Sequence, residues 1–203
     1  MSNIKPLAIL SKCKGRVTIL GSGPSSNNYS ITTDTVIIPN RSICASAIKG
    51  KQVIWVLGSG TFKKQIVELH KDFLLRKAED PQIIVLRCAG NLDKYQEIYN
   101  LLKSETNATI VYIPVATVIS TGAECVKIAL LLGYDNLQVA GIEMGVDTTY
   151  SQDILNNNLG LDSGKRHLNE DKAYFNTMDT KEKRLIHPVE NSGLYTFLGY
   201  PNA

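Results

Sequence analysis

The segment Gly21-Ser22-Gly23-Pro24-Ser25-Ser26 directly follows the apolar run Arg16–Leu20. Glycines allow a tight turn and close backbone approach, and the N–H groups and hydroxyls of such a turn can hold phosphate or ribose oxygens. Pro24 and Ser26 break the dinucleotide fingerprint G-x-G-x-x-G, and no G-K-[ST] follows to make a P-loop. A glycine turn that merely reverses the chain accounts for the segment equally well. Ser120-Thr121-Gly122 precede a strongly apolar stretch. Hydroxyls at a helix N-terminus suit an anion, and ordinary capping competes with that reading. Gly141-Ile142-Glu143 close another apolar run, so Glu143 is either a crevice-facing carboxylate or a surface loop residue. His167 stands after a long polar stretch, where it could act as a general base near neutral pH or simply be exposed. Gly58-Ser59-Gly60 read as a turn, His70 as a helix residue without a partner motif, and His187 as a core or site residue. No HExxH, no DxD pair and no His/Cys cluster is present, so no metal site is expected.

These residues need elements to position them. Near-continuous apolar runs at Arg16–Leu20, Thr35–Pro39, Gln52–Leu57, Gln82–Arg87, Thr109–Ile113 and Asn136–Ala140 read as strands covered on both faces. Between them lie helical faces. Phe62, Ile66, Leu69 and Phe73 predict a helix over 61–77, and Leu92, Tyr95, Ile98, Tyr99 and Leu102 predict a second. A third, Gly122 to Leu132, is apolar almost all round and stops at Gly133, with Thr121 and Glu124 spaced as a capping box. Helix from His167 to Met178 and a last strand at Leu185–Pro188 follow. The alternation predicts an α/β fold: one doubly wound, mostly parallel, Rossmann-like sheet with helices on both faces. Residues 142–165, rich in Asn, Asp, Ser, Gly and Thr, read as a polar active-site loop or lid within a single domain spanning 1–203.

The 203 residues are enough to bury a real core, and a net charge of +3 is too small for a dedicated nucleic-acid binder. The four cysteines form no CxxC pair and no disulfide framework, and Cys88 and Cys125 in apolar runs read as core thiols of a reducing, cytoplasmic compartment. Pro6 to Leu10 is too short for a signal-peptide core or a membrane span. The basic run Lys181 to Arg184 reads first as solvated surface and second as contact with the inner face of a membrane. Oligomeric state is open.

Taken in order, the strand with Gly21-Ser22-Gly23-Pro24-Ser25, then Val36-Ile37-Ile38-Pro39-Asn40-Arg41, then Ser120-Thr121-Gly122, Ala129-Leu130-Leu131-Leu132-Gly133-Tyr134, Val139-Ala140-Gly141-Ile142-Glu143 and His167 resemble the bacterial sialyltransferases of glycosyltransferase family 42. A more distant likeness runs to motility-accessory-factor and archaeal pterin pyrophosphokinase proteins. The most specific block is Ser120 to Glu143, and the likeness runs on through His187-Pro188. The resemblance implies a variant GT-A sheet, a CMP-sugar donor, a glycan or glycolipid acceptor, no cofactor and no essential metal. It implies His167 as general base, Tyr150 as a ligand of the departing phosphate and Asn40 as a nucleotide contact. It also implies work on surface glycans such as lipopolysaccharide or capsule. Ser22 stands where the family has asparagine, Val118 where it has arginine, Gly145 where it has a first loop tyrosine and Glu143 where it has aspartate. Three readings are open: transfer of a sialic-acid- or Kdo-type sugar with inversion, a pyrophosphokinase using ATP and magnesium, and a non-catalytic binding module that kept the fold.

Overall fold

The computed structural model describes residues 4–10, 12–58, 64–115, 118–144, 151, 167–190 and 192–200. Among these residues the strands are β1 (Lys5–Pro6), β2 (Arg16–Leu20), β3 (Thr35–Pro39), β4 (Gln52–Leu57), β5 (Pro81–Cys88), β6 (Thr109–Pro114), β7 (Asn136–Ala140) and β8 (Ile186–Pro188). They form one 8-stranded sheet in the order β1-β6-β5-β4-β3-β2-β7-β8. Every pairing is parallel, so the expected doubly wound α/β sheet is present and is parallel throughout. The helices are α1 (Lys64–Arg76), α2 (Gln96–Glu105), α3 (Thr121–Leu132), α4 (Leu168–Thr177), α5 (Thr180–Arg184) and α6 (Gly193–Phe197). No helix among the described residues is long and apolar enough to cross a membrane.

The sheet splits the core in two, which is why its strands are apolar at successive positions rather than at alternate ones. Val17, Ile19, Ile37, Val56, Val85 and Val139 pack with α3, Phe175 and Leu194 on one face. Leu20, Val36, Ile38, Trp55, Leu57 and Ile84 pack with Phe73 of α1 and with Ile98 and Leu102 of α2 on the other. The predicted apolar helix α3 is buried along most of its length, from Ala123 to Leu132. Cys44, Cys88 and Cys125 are buried free thiols, and burial pushes Cys88 up to about 12.

Three expectations shift. The N-cap of α3 is Ser120, whose side chain accepts the Ala123 N–H, and Thr121 becomes the first helical residue. The run from Leu92 begins with a 3-10 turn, Leu92–Tyr95, before α2. The basic run Lys181 to Arg184 is a short helix capped by Asp179 and Glu182 in a capping box.

From β2 the chain steps outward through β3, β4, β5 and β6, and then returns with β7 to the other side of β2. The loops after β2 and β7 therefore diverge at a topological switch point, where open α/β sheets bind ligands. They also touch. The Gly21 N–H donates to Ala140 O at 2.7 Å, and the Gly23 N–H donates to Gly141 O at 3.0 Å. A Cβ on Gly21 would stand 2.2 Å from Gly141 O, and Gly141 itself has φ +76°. Only glycine satisfies both demands.

Gly21→Ala should therefore cost about 1–3 kcal/mol in urea unfolding, by forcing these loops apart. Gly122→Ala is the control, because its Cβ would meet the Ile142 side chain at an ordinary 3.6 Å. That change should leave stability unchanged or raise it by up to ~1 kcal/mol. A Gly21→Ala protein as stable as the parent would show that the two loops are not pressed together.

Candidate functional site

Asn40 follows β3 at the carboxyl edge and has φ +32°, a left-handed conformation uncommon outside glycine. Three bonds hold it there. Its carbonyl accepts the Trp55 Nε1–H at 2.7 Å, and its Oδ1 accepts the Gly58 N–H at 2.8 Å. Its Nδ2 donates to Thr121 Oγ1 at 3.1 Å. The Gly58 N–H fixes which way the amide lies, because only the oxygen can accept it. Strain retained under this many constraints is common at ligand sites.

Thr121 Oγ1 has a second donor. Arg87, near the end of β5, sends Nη1 to it at 3.1 Å and Nη2 to Ile119 O at 2.7 Å. The same Nη2 lies 3.2 Å from Glu124 Oε2, and Lys127 Nζ lies 3.2 Å from Glu124 Oε1. Arg87 is 8% exposed and Glu124 is 0% exposed. Both carboxylate oxygens lie outside hydrogen-bond geometry, so these contacts are charge pairs only.

Ser120 joins this turn to His167. Its N–H donates to Asp171 Oδ1 at 2.7 Å, while its hydroxyl caps α3. Asp171 lies one helical turn beyond His167, which is the N-cap of α4. Burial raises the Asp171 carboxyl above its ordinary range, against the lowering effect of hydrogen bonds from Ser120 and of the nearby His167 and Arg87 charges. His167 is half-buried, and its Nδ1 is buried without a hydrogen-bond partner among the described residues.

The loop after β2 lies along the same carboxyl edge of the sheet. The Ser25 N–H donates to Glu143 Oε1 at 2.8 Å, and Ser25 Oγ accepts the Gly141 N–H at 2.8 Å. Glu143 Oε2 accepts the Gly193 N–H of α6 at 3.4 Å. The structure thus places Gly21, Ser22, Gly23, Pro24 and Ser25 against Gly141 and Glu143, and turns the Glu143 carboxylate onto backbone N–H groups. A cleft of about 490 Å³ opens beside this loop, lined among others by Leu20, Ser26, Asn28, Tyr29, Ser46 and Ser151. The Ser151 N–H donates to Ser22 O at 2.8 Å, which draws residue 151 to the same edge.

Tyr150, like nearly all of the polar stretch 142–165, lies outside the described residues. His187 is exposed on the edge strand β8, and His70 is buried among Trp55 and Phe73. Asn40, Ser120, Thr121 and Gly122 gather on one side, with His167 linked to them through Asp171. Arg87 and Asp171 have no site role in the sequence reading, and Glu124, expected in a capping box, instead pairs with Arg87 and Lys127. Their signal was present: a lone arginine ends an apolar strand, and a lone glutamate interrupts the buried face of α3.

No protein-family model and no curated protein matches the chain. Solved structures do. The chain is similar to the sialyltransferase CstII from Campylobacter jejuni in complex with a substrate analogue, CMP-3FNeuAc, with 16% identity over 93% of this chain and 86% of that one and a TM-score of 0.55. It is also similar to the sialyltransferase CST-II with trisaccharide acceptor and CMP, at 19% identity over 92% and 86% and a TM-score of 0.54. The C. jejuni enzyme with cytidine-5'-monophosphate gives 18% identity over 92% and 85%, with a TM-score of 0.53. At these identities the likeness establishes a shared fold over nearly the whole chain.

Asp171→Asn keeps an acceptor for the Ser120 N–H and removes a buried charge. A carboxyl raised above its ordinary 3.8 contributes stability that is full below that value and is lost as pH rises through the folded value. The Asn variant should therefore lose that part of the parent's decline in stability with rising pH. Urea unfolding of both proteins across a series of pH values upward from the ordinary 3.8 measures it. Parallel stability curves would show that Asp171 titrates as if exposed.

Proposed function

We propose that the chain is a glycosyltransferase that moves a sialic-acid- or Kdo-type sugar from a CMP-activated donor to a glycan hydroxyl, with inversion and without a metal. The observation that carries this reading is the meeting of His167, Asp171, Ser120, Thr121 and Asn40 at the carboxyl edge of a sheet shared with a CMP-binding sialyltransferase. The structural neighbours are described with CMP, a CMP-sugar analogue and a trisaccharide acceptor, which supports a nucleotide-sugar donor and a glycan acceptor here.

In this reading Asn40 and the Ser120–Gly122 turn hold the nucleotide, and the loop Gly21–Ser25 lines its place mainly through hydroxyls, because the Gly21, Gly23 and Ser25 N–H groups are already bonded to Ala140 O, Gly141 O and Glu143 Oε1. Backbone N–H groups and hydroxyls suit a phosphate because they donate without carrying charge of their own. His167 takes the proton from the acceptor hydroxyl as its oxygen attacks the anomeric carbon. A glycosidic bond forms, the bond from that carbon to the phosphate oxygen breaks, and CMP leaves with the bonding electrons. Attack from the face opposite the leaving group inverts the centre. Asp171, one helical turn beyond His167 and bonded to the Ser120 N–H, ties the base to the Ser120–Gly122 turn. Tyr150 is proposed to meet the departing phosphate, and a glycolipid acceptor at a cytoplasmic membrane face fits the basic helix α5.

Thermal unfolding with CMP, with and without magnesium, tests the donor first. At about 100 times its Kd, a ligand bound only by the folded state stabilises by about 2.7 kcal/mol. CMP should raise the melting temperature without magnesium, and ATP with magnesium should not. CMP-sialic acid and CMP-Kdo then test turnover. His167→Ala should lower kcat by ~10²–10⁴-fold while CMP still binds. A shift with ATP and magnesium but not CMP sinks the proposal, whereas CMP binding without turnover leaves a nucleotide-sugar-binding module.

A further inference from the structure

The Thr121 hydroxyl is in an unusual position for a threonine at a helix start. A hydroxyl has one proton to donate and two lone pairs to accept with. Asn40 Nδ2 occupies one lone pair at 3.1 Å, and its direction is settled because Asn40 Oδ1 is already committed to the Gly58 N–H. Arg87 Nη1 occupies the other at 3.1 Å, and a guanidinium can only donate. Both lone pairs are filled, so the oxygen is left as a donor alone. The end of β4 closes one approach, since a Cβ on Gly58 would stand 2.3 Å from Thr121 Oγ1. Thr121 is nevertheless partly exposed, and its proton meets no acceptor among the described residues.

The charge behind it is built in at a cost. Arg87 and Glu124 are almost wholly removed from water, and the contact between them is an ion pair without hydrogen-bond alignment. A buried pair of this kind is weak support for stability, and apolar residues of similar size often serve as well. Its placement does something apolar residues could not. Nη2 holds the Ile119 carbonyl while Nη1 polarises the Thr121 hydroxyl, so one fork fixes the turn and the proton direction together.

We infer that Arg87 is a positioning residue for the donor nucleotide: with Asn40 it makes the Thr121 hydroxyl an obligate donor to an anionic oxygen of the ligand. The inference rests on the CMP-sugar reading above and assigns to Arg87 of β5 a charge that Val118, two residues before Ser120, does not supply, being apolar and 62% exposed. Arg87 touches no substrate atom in this scheme. It acts through Thr121.

The test is a double-mutant cycle read as CMP affinity by calorimetry, using Arg87→Met, Thr121→Val and the pair. Thr121→Val should weaken CMP by about tenfold or more, the usual loss when a hydrogen bond to a charged group is removed. Arg87→Met should weaken it by a similar factor in the parent, and the pair should bind no worse than Thr121→Val alone, because both changes remove one interaction. Arg87→Lys keeps a charge for Glu124 but cannot fork to Thr121 and Ile119 together. It should weaken CMP with little change in melting temperature, and it takes the place of Arg87→Met in the cycle if that variant does not fold. Losses that simply multiply in the pair, or unchanged affinity in the Arg87 variants, overturn the inference and leave Arg87 a structural residue. A parent protein that binds no CMP overturns the donor reading itself, and the inference falls with it.

Discussion

The contact between the loops after β2 and β7 is the constraint on which the rest of the molecule depends. Parallel strands diverge at a switch point, and the crevice there exists only while the two loops stay in register. Here backbone bonds continue the β2–β7 pairing past the ends of both strands, from Gly21 to Ala140 and from Gly23 to Gly141. Glu143 then accepts one N–H from the β2 loop and another from α6. A carboxylate that accepts backbone N–H groups makes charge-assisted bonds, roughly twice as strong as neutral ones. Glu143 therefore acts as a clamp joining three segments distant in sequence, and its negative charge is already spoken for by those segments.

A second part of the carboxyl edge is organised around a single turn, Ile119 to Thr121. A carbonyl, an N–H and a hydroxyl in this turn are each held by a side chain from a different element: Arg87 of β5, Asp171 of α4 and, with Arg87, Asn40 after β3. None of these contacts is local in sequence. Ile119 anchors the turn in the core, and Ser120 and Thr121 stay partly exposed at the carboxyl edge. Rigidity of this origin matters for transfer chemistry, because donors fixed in advance need no reorganisation when charge develops.

Much of the fold was legible because its strongest signals are local. Four of the predicted strands match their observed limits, Arg16–Leu20, Thr35–Pro39, Gln52–Leu57 and Asn136–Ala140, since runs apolar on both faces have few alternatives in a chain this size. β1 was not legible: two exposed residues, Lys5 and Pro6, pair with β6 only through tertiary context. The α3 cap was displaced by one residue because Ser and Thr are equally good caps, and only the Ala123 N–H decides between Ser120 and Thr121. The site was legible in part for the same reason. Asn40 and the Ser120–Gly122 turn announce themselves by residue type at a strand end or helix start. Arg87, Glu124 and Asp171 depend on pairings across 34 to 51 positions, and spacing in the sequence carries no trace of them.

A charge buried in an apolar run is still a sign that can be read before a structure is known. Burying an arginine or a glutamate unpaired costs on the order of several kcal/mol, and arginine cannot shed its charge, so a buried arginine must meet an anion or a carbonyl. In this chain Arg87 ends the apolar run of β5, and Glu124 lies on the buried face of α3, the helix that leads into β7. Parallel topology brings strand ends and helix starts to one edge of the sheet, so an arginine at a strand's end and a glutamate in a helix's first turn are natural partners there. The same reasoning applies to Asp171 in the first turn of α4, which meets the N-terminal turn of α3. The doubly wound sheet collects polar groups at its carboxyl edge because that is where both kinds of terminus converge, and a crevice with directed donors follows from that convergence.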